Sequence, residues 1–456
     1  DADLAEGAYQ ANNYNYAMNF KRELFSYGAA YKFNSKLSIQ FNGGYSQMRR
    51  YAQKDSSIDD NAGDYDHTYF FDLYKGTTLT NELQANYTTK GFDIVAGGGL
   101  FDETMASDNY YYDAGYLSQG NLDTLKINVL TKDVFIHTDI DGSLINDKFK
   151  AFSLALGYRY TYHQLFGSNS TFEINPSYRI APNTLLYGSY STGFNAPSLY
   201  QLYAPDITPP LNVTIGNKDL KPETSKSWEA GIKYSPTAGT TFTASYFFTE
   251  IDNTVEFVYL WNKNKPVDSL SYFDYLGDTY LNLGKQSTQG FEFSVSAAIG
   301  KKLLFEGNVS IMGGKLEYSP TSIDTAKTHG NYVQLFDNGQ FLTNKSFTVL
   351  GLTRRPNTAN FSLTYRFCDK MSLRMDARYV GSNNDICYNN GVAYMGAEGT
   401  VGIEDYALMD LSLKYTIFKN FTAIAKCENV FNKKYVEIYG FTTKGRGIYL
   451  SLRYAF

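Results

Sequence analysis

Segments of about ten residues in which apolar and polar side chains alternate strictly recur from end to end of this chain. Such period-two alternation gives a strand one apolar and one polar face. The last segment, Gly447 to Phe456, is the clearest: Ile448, Leu450, Leu452, Tyr454 and Phe456 on one side, Tyr449, Ser451, Arg453 and Ala455 on the other. Leu411, Leu413, Tyr415 and Ile417 alternate with Ser412, Lys414 and Thr416, and Phe291, Phe293 and Val295 with Glu292 and Ser294. Phe152, Leu154, Leu156, Tyr158 and Tyr160, and Phe25, Tyr27, Ala29, Tyr31 and Phe33, repeat the pattern upstream. No apolar run approaches the ~20 residues of a membrane-spanning helix. A tilted membrane strand needs only ~10 residues and buries every second one in lipid.

Composition points the same way. The 456 residues carry a net charge of -5, are 19% charged and 16% aromatic, and include 41 Tyr and 32 Phe. So few charges argue against disorder or a coiled coil, and the mild acidity against a nucleic-acid partner. Tyr and Phe favour both strands and membrane interfaces. Cys368, Cys387 and Cys427 are far apart, with no metal-ligand spacing, and read as unpaired thiols.

Connections alternate between short and long. Asn34-Ser35, Ala181-Pro182-Asn183, Pro236 to Gly239, Gly300-Lys301-Lys302, Cys368-Asp369-Lys370 and Lys419-Asn420 are tight turns, and Asn146-Asp147 is a less regular one. Between them lie polar stretches at 52–75, 102–125, 195–225, 252–284, 318–356 and 382–404, read here as loops. Short turns on one rim and long loops on the other describe an all-β, transmembrane, up-and-down antiparallel barrel in an outer membrane. We count about 17 strands, whereas single-chain bacterial barrels carry an even number. Asp1-Ala2-Asp3-Leu4 shows no initiator Met and no targeting signal. The expectation is one barrel domain over residues 1–456, N-terminally incomplete, with a native polypeptide extending upstream.

Four motifs resemble those of TonB-dependent outer-membrane receptors. Gly193-Phe194-Asn195-Ala196-Pro197-Ser198-Leu199, continuing to Tyr203, is similar to the family's G-F-x-A-P-x-L-x-x-L-Y. Asn217, Leu220, Pro222 and Glu223, followed by Ser227-Trp228-Glu229 and Gly231, resemble its N-x-x-L-x-P-E and S-x-[WY]-E-x-G. Asn282, Gly284, Gly290 and Glu292 match a third pattern, and Asn429-Val430-Phe431-Asn432-Lys433-Lys434-Tyr435 a fourth, before the aromatic C-terminus Phe456. The resemblance implies a 22-stranded barrel, a plug domain and a TonB-contacting segment, neither of the latter two present in this sequence. It also implies energised uptake of a scarce large ligand at the outer membrane of a Gram-negative bacterium. Most of these motif residues have an architectural alternative: prolines ending strands, and glycines marking bends or close approach of a plug. Glu229 and Glu292 are read as facing the lumen, towards bases such as Arg159 and Lys233.

Tyr439-Gly440-Phe441, followed by Thr443, Gly445 and Arg446, is similar to the last loop of cobalamin receptors, so cobalamin is the first cargo and an iron chelate or haem the second. His67 and His329 are loop histidines a haem would want. Tyr110, Tyr111 and Tyr112, with Tyr272, Phe273 and Tyr275, are flat surfaces for a large ring system. They serve equally for loop packing or for a surface lipoprotein. Asp55, Asp59, Asp60, Asp64 and Asp66 form an oxygen-rich loop, a Ca²⁺ candidate against the alternative of a solvated acidic loop. No cofactor is required. The other classes are a passive porin and a barrel hydrolase built on His137, Asp139 and Asp141, or on His163; no nucleophile motif accompanies those histidines.

Overall fold

A computed structural model describes residues 16–54, 69–113, 116–122, 127–204, 214–319, 323, 325–336, 339–342, 346–388 and 398–455. The first strands are β1 (Tyr16–Lys32), β2 (Leu37–Lys54), β3 (Tyr69–Thr89), β4 (Phe92–Asp113), β5 (Tyr116–Asn121), β6 (Ile127–Asp141), β7 (Phe152–His163), β8 (Gly167–Ala181) and β9 (Thr184–Asn195). After helix α1 (Leu199–Tyr203) come β10 (Thr214–Ile215), β11 (Glu223–Thr237), β12 (Thr240–Trp261), β13 (Tyr275–Ile299) and β14 (Leu303–Tyr318). Helix α2 (Thr325–Thr328) precedes β15 (Tyr332–Leu335), β16 (Phe341–Leu342), β17 (Phe347–Leu350), β18 (Thr358–Cys368) and β19 (Met371–Val380). The chain closes with β20 (Asn383–Tyr388), β21 (Glu398–Ile403), β22 (Tyr406–Phe418), β23 (Phe421–Glu428) and β24 (Gly447–Tyr454).

Seventeen of these strands pair in chain order into one antiparallel ladder: β1–β4, β6–β9, β11–β14, β18, β19 and β22–β24. That is the expected strand number. β10 departs from the antiparallel rule, lying parallel to Asp278–Thr279 of β13. Among the described residues, β1 pairs with β2 alone and β24 with β23 alone.

Register fixes the faces. Leu452 sits opposite Ala423, Ala423 opposite Tyr415, and Tyr415 opposite Met371. The same apolar row continues through Leu363 beside Phe305 and Ile232 beside Leu186 to Phe41 beside Ala29. Large side chains of this row stay uncovered by protein: Leu452 is 61% exposed and Phe25 65%. A wall whose apolar face has no protein against it requires an apolar solvent, which lipid supplies. Among the described residues, no helix is long and apolar enough to cross a membrane.

The strands outrun the ten residues that the alternation suggested. β12 has 22 residues and β13 has 25, so they carry pairing deep into stretch 252–284, read from sequence as loop. The stretch misled because its apolar side chains, such as Val258 to Trp261, are buried on both faces of the strand and so lack the one-sided alternation that marks a membrane strand. The protein's own core lies at this long-connection end. Val258, Leu281, Leu283, Leu316, Val333 and Leu335 pack together where β12–β14 meet β15 and β16, forming a cap on the wall.

Candidate functional site

The polar rows of the ladder face the concave side and carry most of the paired charges. Arg374 in β19 reaches Glu306 Oε2 at 3.2 Å and Asp376 Oδ1 at 2.9 Å, and donates to Ser362 Oγ at 2.7 Å. Lys426 in β23 holds Glu428 at 2.7 Å and Asp410 at 3.6 Å. Arg159 pairs with Asp133 at 3.4 Å. Half-exposed pairs such as these stabilise a fold by only ~0–1 kcal/mol each. Their consequence is a hydrated, charge-patterned lining rather than a tighter wall.

Two of the three acidic motif residues, Glu229 and Glu292, stand apart from that pairing. Glu229 and Glu292 share a polar hollow of about 280 Å³ with Tyr187, Ser245, Ser294 and Ser310. Tyr187 donates to Glu229 Oε1 at 3.2 Å. Among the described residues neither glutamate forms an ion pair: Arg159 is taken by Asp133, and Lys233 meets neither. The sequence reading placed both acids on the right face but gave them the wrong partners, because alternation says nothing about distance around the wall.

The remaining motif residues knit the crossover between β9 and β11 to the wall. Ser198 caps α1: its Oγ accepts Gln201 N–H at 3.2 Å while Gln201 Oε1 accepts Ser198 N–H at 2.8 Å. Leu199 and Leu202 are buried beneath that turn, and Leu199 packs with Leu122, Ile127 and Val129. Asn217 donates to Tyr280 O at 2.8 Å. Asn282 accepts Lys221 N–H at 2.7 Å and donates to Lys221 O at 3.0 Å and Asn253 O at 2.8 Å. Glu223 accepts from Asn195 at 2.8 Å and from Val255 N–H at 2.9 Å. Near the C-terminus, Asn429 sits at φ 47° and exchanges two bonds with Lys433, while Tyr406 and Tyr435 stack at 4.5 Å. Trp228 stacks on Tyr246 on the outer face. Gly290 is hemmed in by its own ladder: a Cβ there would lie 2.5 Å from Ile311 O and 2.9 Å from the Phe247 ring. Gly193 and Gly231 are crowded likewise by Ser225 and Tyr187, so the close approach expected of a plug is made by neighbouring strands.

The aromatic candidates separate. Tyr110, Tyr111 and Tyr112 lie within β4, not in a loop. Tyr110 shares the outer-face row with Asp102 and Leu100, and its ring is 6.3 Å from Phe71. Tyr275 begins β13, donates to Asp278 at 2.8 Å and packs 5.2 Å from Trp261 inside the cap. Tyr272 and Phe273 belong to a one-turn 3-10 helix, from which Phe273 projects 92% exposed. Asp274 anchors that turn: buried, it accepts from Ser271 N–H at 2.9 Å, Ser271 Oγ at 2.7 Å and Lys265 Nζ at 2.9 Å. Lys265 and Ser271 hold the Asp274 carboxyl below the usual carboxylate range. Asp55, Asp59, Asp60, Asp64, Asp66 and His67, and Phe456 at the other end, lie outside the described residues.

Among the described residues the three histidines lie apart from one another. His137 touches Glu173 at 2.9 Å and Asp139 at 3.6 Å on the inner face, but Asp141 turns away to cap Ser143 N–H at 2.7 Å. His163 is buried against Phe166, and His329 is an exposed residue at φ 52° whose carbonyl accepts Lys263. Sequence reading missed two features. One is α1, whose capping box (Ser198 and Gln201) was a usable signal. The other is Asp385, fully buried, which takes Arg354 and the Tyr439 N–H and so ties three connections together; nothing in its local sequence announces that.

Against known proteins, the family profile described as "TonB dependent receptor-like, beta-barrel" matches residues 2–430. A vitamin B12 transporter BtuB from Photobacterium profundum is 24% identical over 294 residues, covering 64% of this chain and 38% of that protein. The chain therefore spans well under half the length of this curated relative. Among solved structures, the copper transporter OprC aligns over 97% of this chain and 66% of its own, at 14% identity and TM-score 0.66. The siderophore receptor PiuA from Acinetobacter baumannii covers 96% and 64%, at 16% identity and TM-score 0.63. The ferric-catecholate import receptor Fiu from K12 E. coli covers 97% and 65%, at 15% identity and TM-score 0.62. At such identities these structures speak for the fold.

Proposed function

The chain belongs to the TonB-dependent receptor β-barrel family, and from that premise we propose that it walls an outer-membrane importer of a scarce, large ligand, cobalamin first. The carrying observation is a ladder of at least seventeen strands that is apolar outside, charge-lined inside and capped at one end. A wall of that many strands encloses a space that its own side chains cannot fill. The similarity to a vitamin B12 transporter, together with the Tyr439-to-Arg446 run, supports cobalamin. A ferric-siderophore receptor is the second reading, supported by solved relatives that take iron chelates. The short turns then lie at the periplasmic rim, the cap outside the cell, and TonB is the energising partner. Phe273 is the cap residue we assign to cargo contact, and a surface lipoprotein is the alternative occupant of that ring. Ca²⁺ bound by the Asp55-to-Asp66 stretch is a lesser proposal.

The test uses the full natural polypeptide, purified and titrated separately with cyanocobalamin and with ferric catecholate chelates. Saturable cobalamin binding, with energiser-dependent uptake by cells expressing the protein, is the expected result. Binding of the chelate alone reverses the order of cargoes. Uptake unaffected by loss of the energiser sinks the receptor reading.

A further inference from the structure

Charge is distributed unevenly between the two rims. In the first half of the ladder, Lys36 closes the β1–β2 turn, Lys90 the β3–β4 turn, and Lys148 and Lys150 occupy the β6–β7 connection. In the second half, Lys301 and Lys302 make the β13–β14 turn, while Lys370 and Lys419 sit in the β18–β19 and β22–β23 turns. Because the ladder is antiparallel, all of these turns fall on one rim. All eight lysines are exposed. The acids in the same connections are few. Asp141 is committed to the Ser143 N–H, leaving Asp147 and Asp369.

Two further observations bear on this rim. On the inner face Arg159, Arg374 and Lys426 are neutralised in place, while among the described residues Lys233, Lys414 and Arg453 form no ion pair. Among the described residues, no ion pair reaches any of the eight turn lysines. Next to them the apolar outer row ends in exposed rings and aliphatic chains: Tyr31, Phe33, Phe149, Ile299, Phe367 and Phe418. An aromatic girdle marks the depth at which hydrocarbon gives way to headgroups. Lysines immediately beyond it extend their ammonium groups into the headgroup layer while their stems cover apolar surface.

We propose that this lysine collar docks the short-turn rim on anionic glycerophospholipid headgroups of the leaflet it meets. The proposal rests on the barrel reading and adds a lipid preference to it. Each ammonium near an anionic surface gains attraction of order 1 kcal/mol, about a fivefold factor in retention. A zwitterionic lipid offers little of that. Point charges on flexible stems suit a fluid array of phosphates better than a single fixed anion would.

The test counts lipids retained by the full natural polypeptide in detergent by native mass spectrometry, supplying phosphatidylglycerol or phosphatidylcholine. The unmodified protein should retain phosphatidylglycerol preferentially, and less of it as salt rises. Lys301→Gln with Lys302→Gln should cut the preference several-fold, and adding Lys36→Gln and Lys90→Gln should cut it several-fold again, with Lys148, Lys150, Lys370 and Lys419 holding the remainder. Arginine at the same four positions should preserve it. Glutamine at Lys218 and Lys221, on the opposite end, should leave it unchanged. Equal retention of the two lipids by the unmodified protein overturns the proposal, as does a preference undiminished in the fourfold glutamine variant or one that follows Lys218 and Lys221. Flotation with phosphatidylcholine vesicles keeps the two readings apart. Failure to insert there sinks the barrel reading and the collar with it, whereas insertion without headgroup preference sinks the collar alone.

Discussion

Replacing Asn282 by alanine tests whether the receptor motifs are built for architecture or for cargo. Its side chain makes two hydrogen bonds that fasten the β9–β11 crossover to β13, one from Lys221 N–H at 2.7 Å and one to Lys221 O at 3.0 Å, and a third to Asn253 O of β12 at 2.8 Å. At a net ~0.5–1.5 kcal/mol per bond, losing all three costs about 3 kcal/mol. That energy falls on local docking rather than on the ladder, so the amide of Lys221 should exchange with solvent roughly a hundredfold faster. Amides of the β13–β14 pairing between Phe291 and Ile299 should be unchanged. Asn282→Asp keeps the acceptor for Lys221 N–H but loses both donors, and should fall between the two. Hydrogen exchange read by mass spectrometry over 214–222 and 285–318 supplies the comparison. Unchanged protection at Lys221, combined with lost cargo affinity, would refute the reasoning and make Asn282 a ligand residue.

Gly290→Val should cost at least ~3 kcal/mol, because its branched side chain meets a backbone carbonyl and the Phe247 ring between two paired strands; a heat-modifiability gel would show loss of the compact band. For Asp274 the folded carboxyl titrates lower than it would in an unfolded chain, so its stabilisation is complete above the ordinary carboxylate value and is lost as pH falls through the folded one. The 262–275 connection should therefore loosen only below about pH 4. Asp274→Asn should abolish that acid response and leave Ser271 N–H poorly protected at neutral pH. Single-cysteine variants at Leu411 and Ser412 should differ sharply towards a water-soluble maleimide, with position 412 reactive and 411 shielded by lipid or detergent; equal reactivity removes the two-faced wall. Removing Ca²⁺ with a chelator should leave cargo affinity within twofold, and a larger loss would promote the Asp55-to-Asp66 stretch to a ligand site.

The wall was legible because alternation is a local property with a global consequence. Once Leu411, Leu413 and Tyr415 share a face, the neighbouring strand must present its own apolar set to the same side, and β23 and β24 do so. The short turns followed from glycine, proline and asparagine at strand ends. The upper parts of β12 and β13 were not legible, since their apolar residues bury on both faces under the cap and give no clean two-residue alternation. Partnership was harder still. That Glu229 meets Tyr187 and not a base, and that Asp385 receives Tyr439 N–H across 54 positions of sequence, depends on how loops fold back on the wall. Motif residues such as Asn282 stood out as a pattern, but whether they serve the scaffold or the cargo required their hydrogen-bond partners.

The cap places a conventional water-excluding core, Val258, Leu283, Leu335 and their neighbours, at one end of a wall that draws its apolar environment from lipid. The two parts therefore answer to different solvents. Urea acts on the cap as on any small water-soluble domain, lowering its stability in proportion to the area it uncovers. The wall, held by interstrand pairing within hydrocarbon, is nearly indifferent to the same denaturant. Moderate urea should thus yield a molecule decapitated in function but whole in span, its long connections melted beside an intact ladder of strands. Unfolding curves followed at Trp261 and at Trp228 would then part company, the first ending well before the second begins.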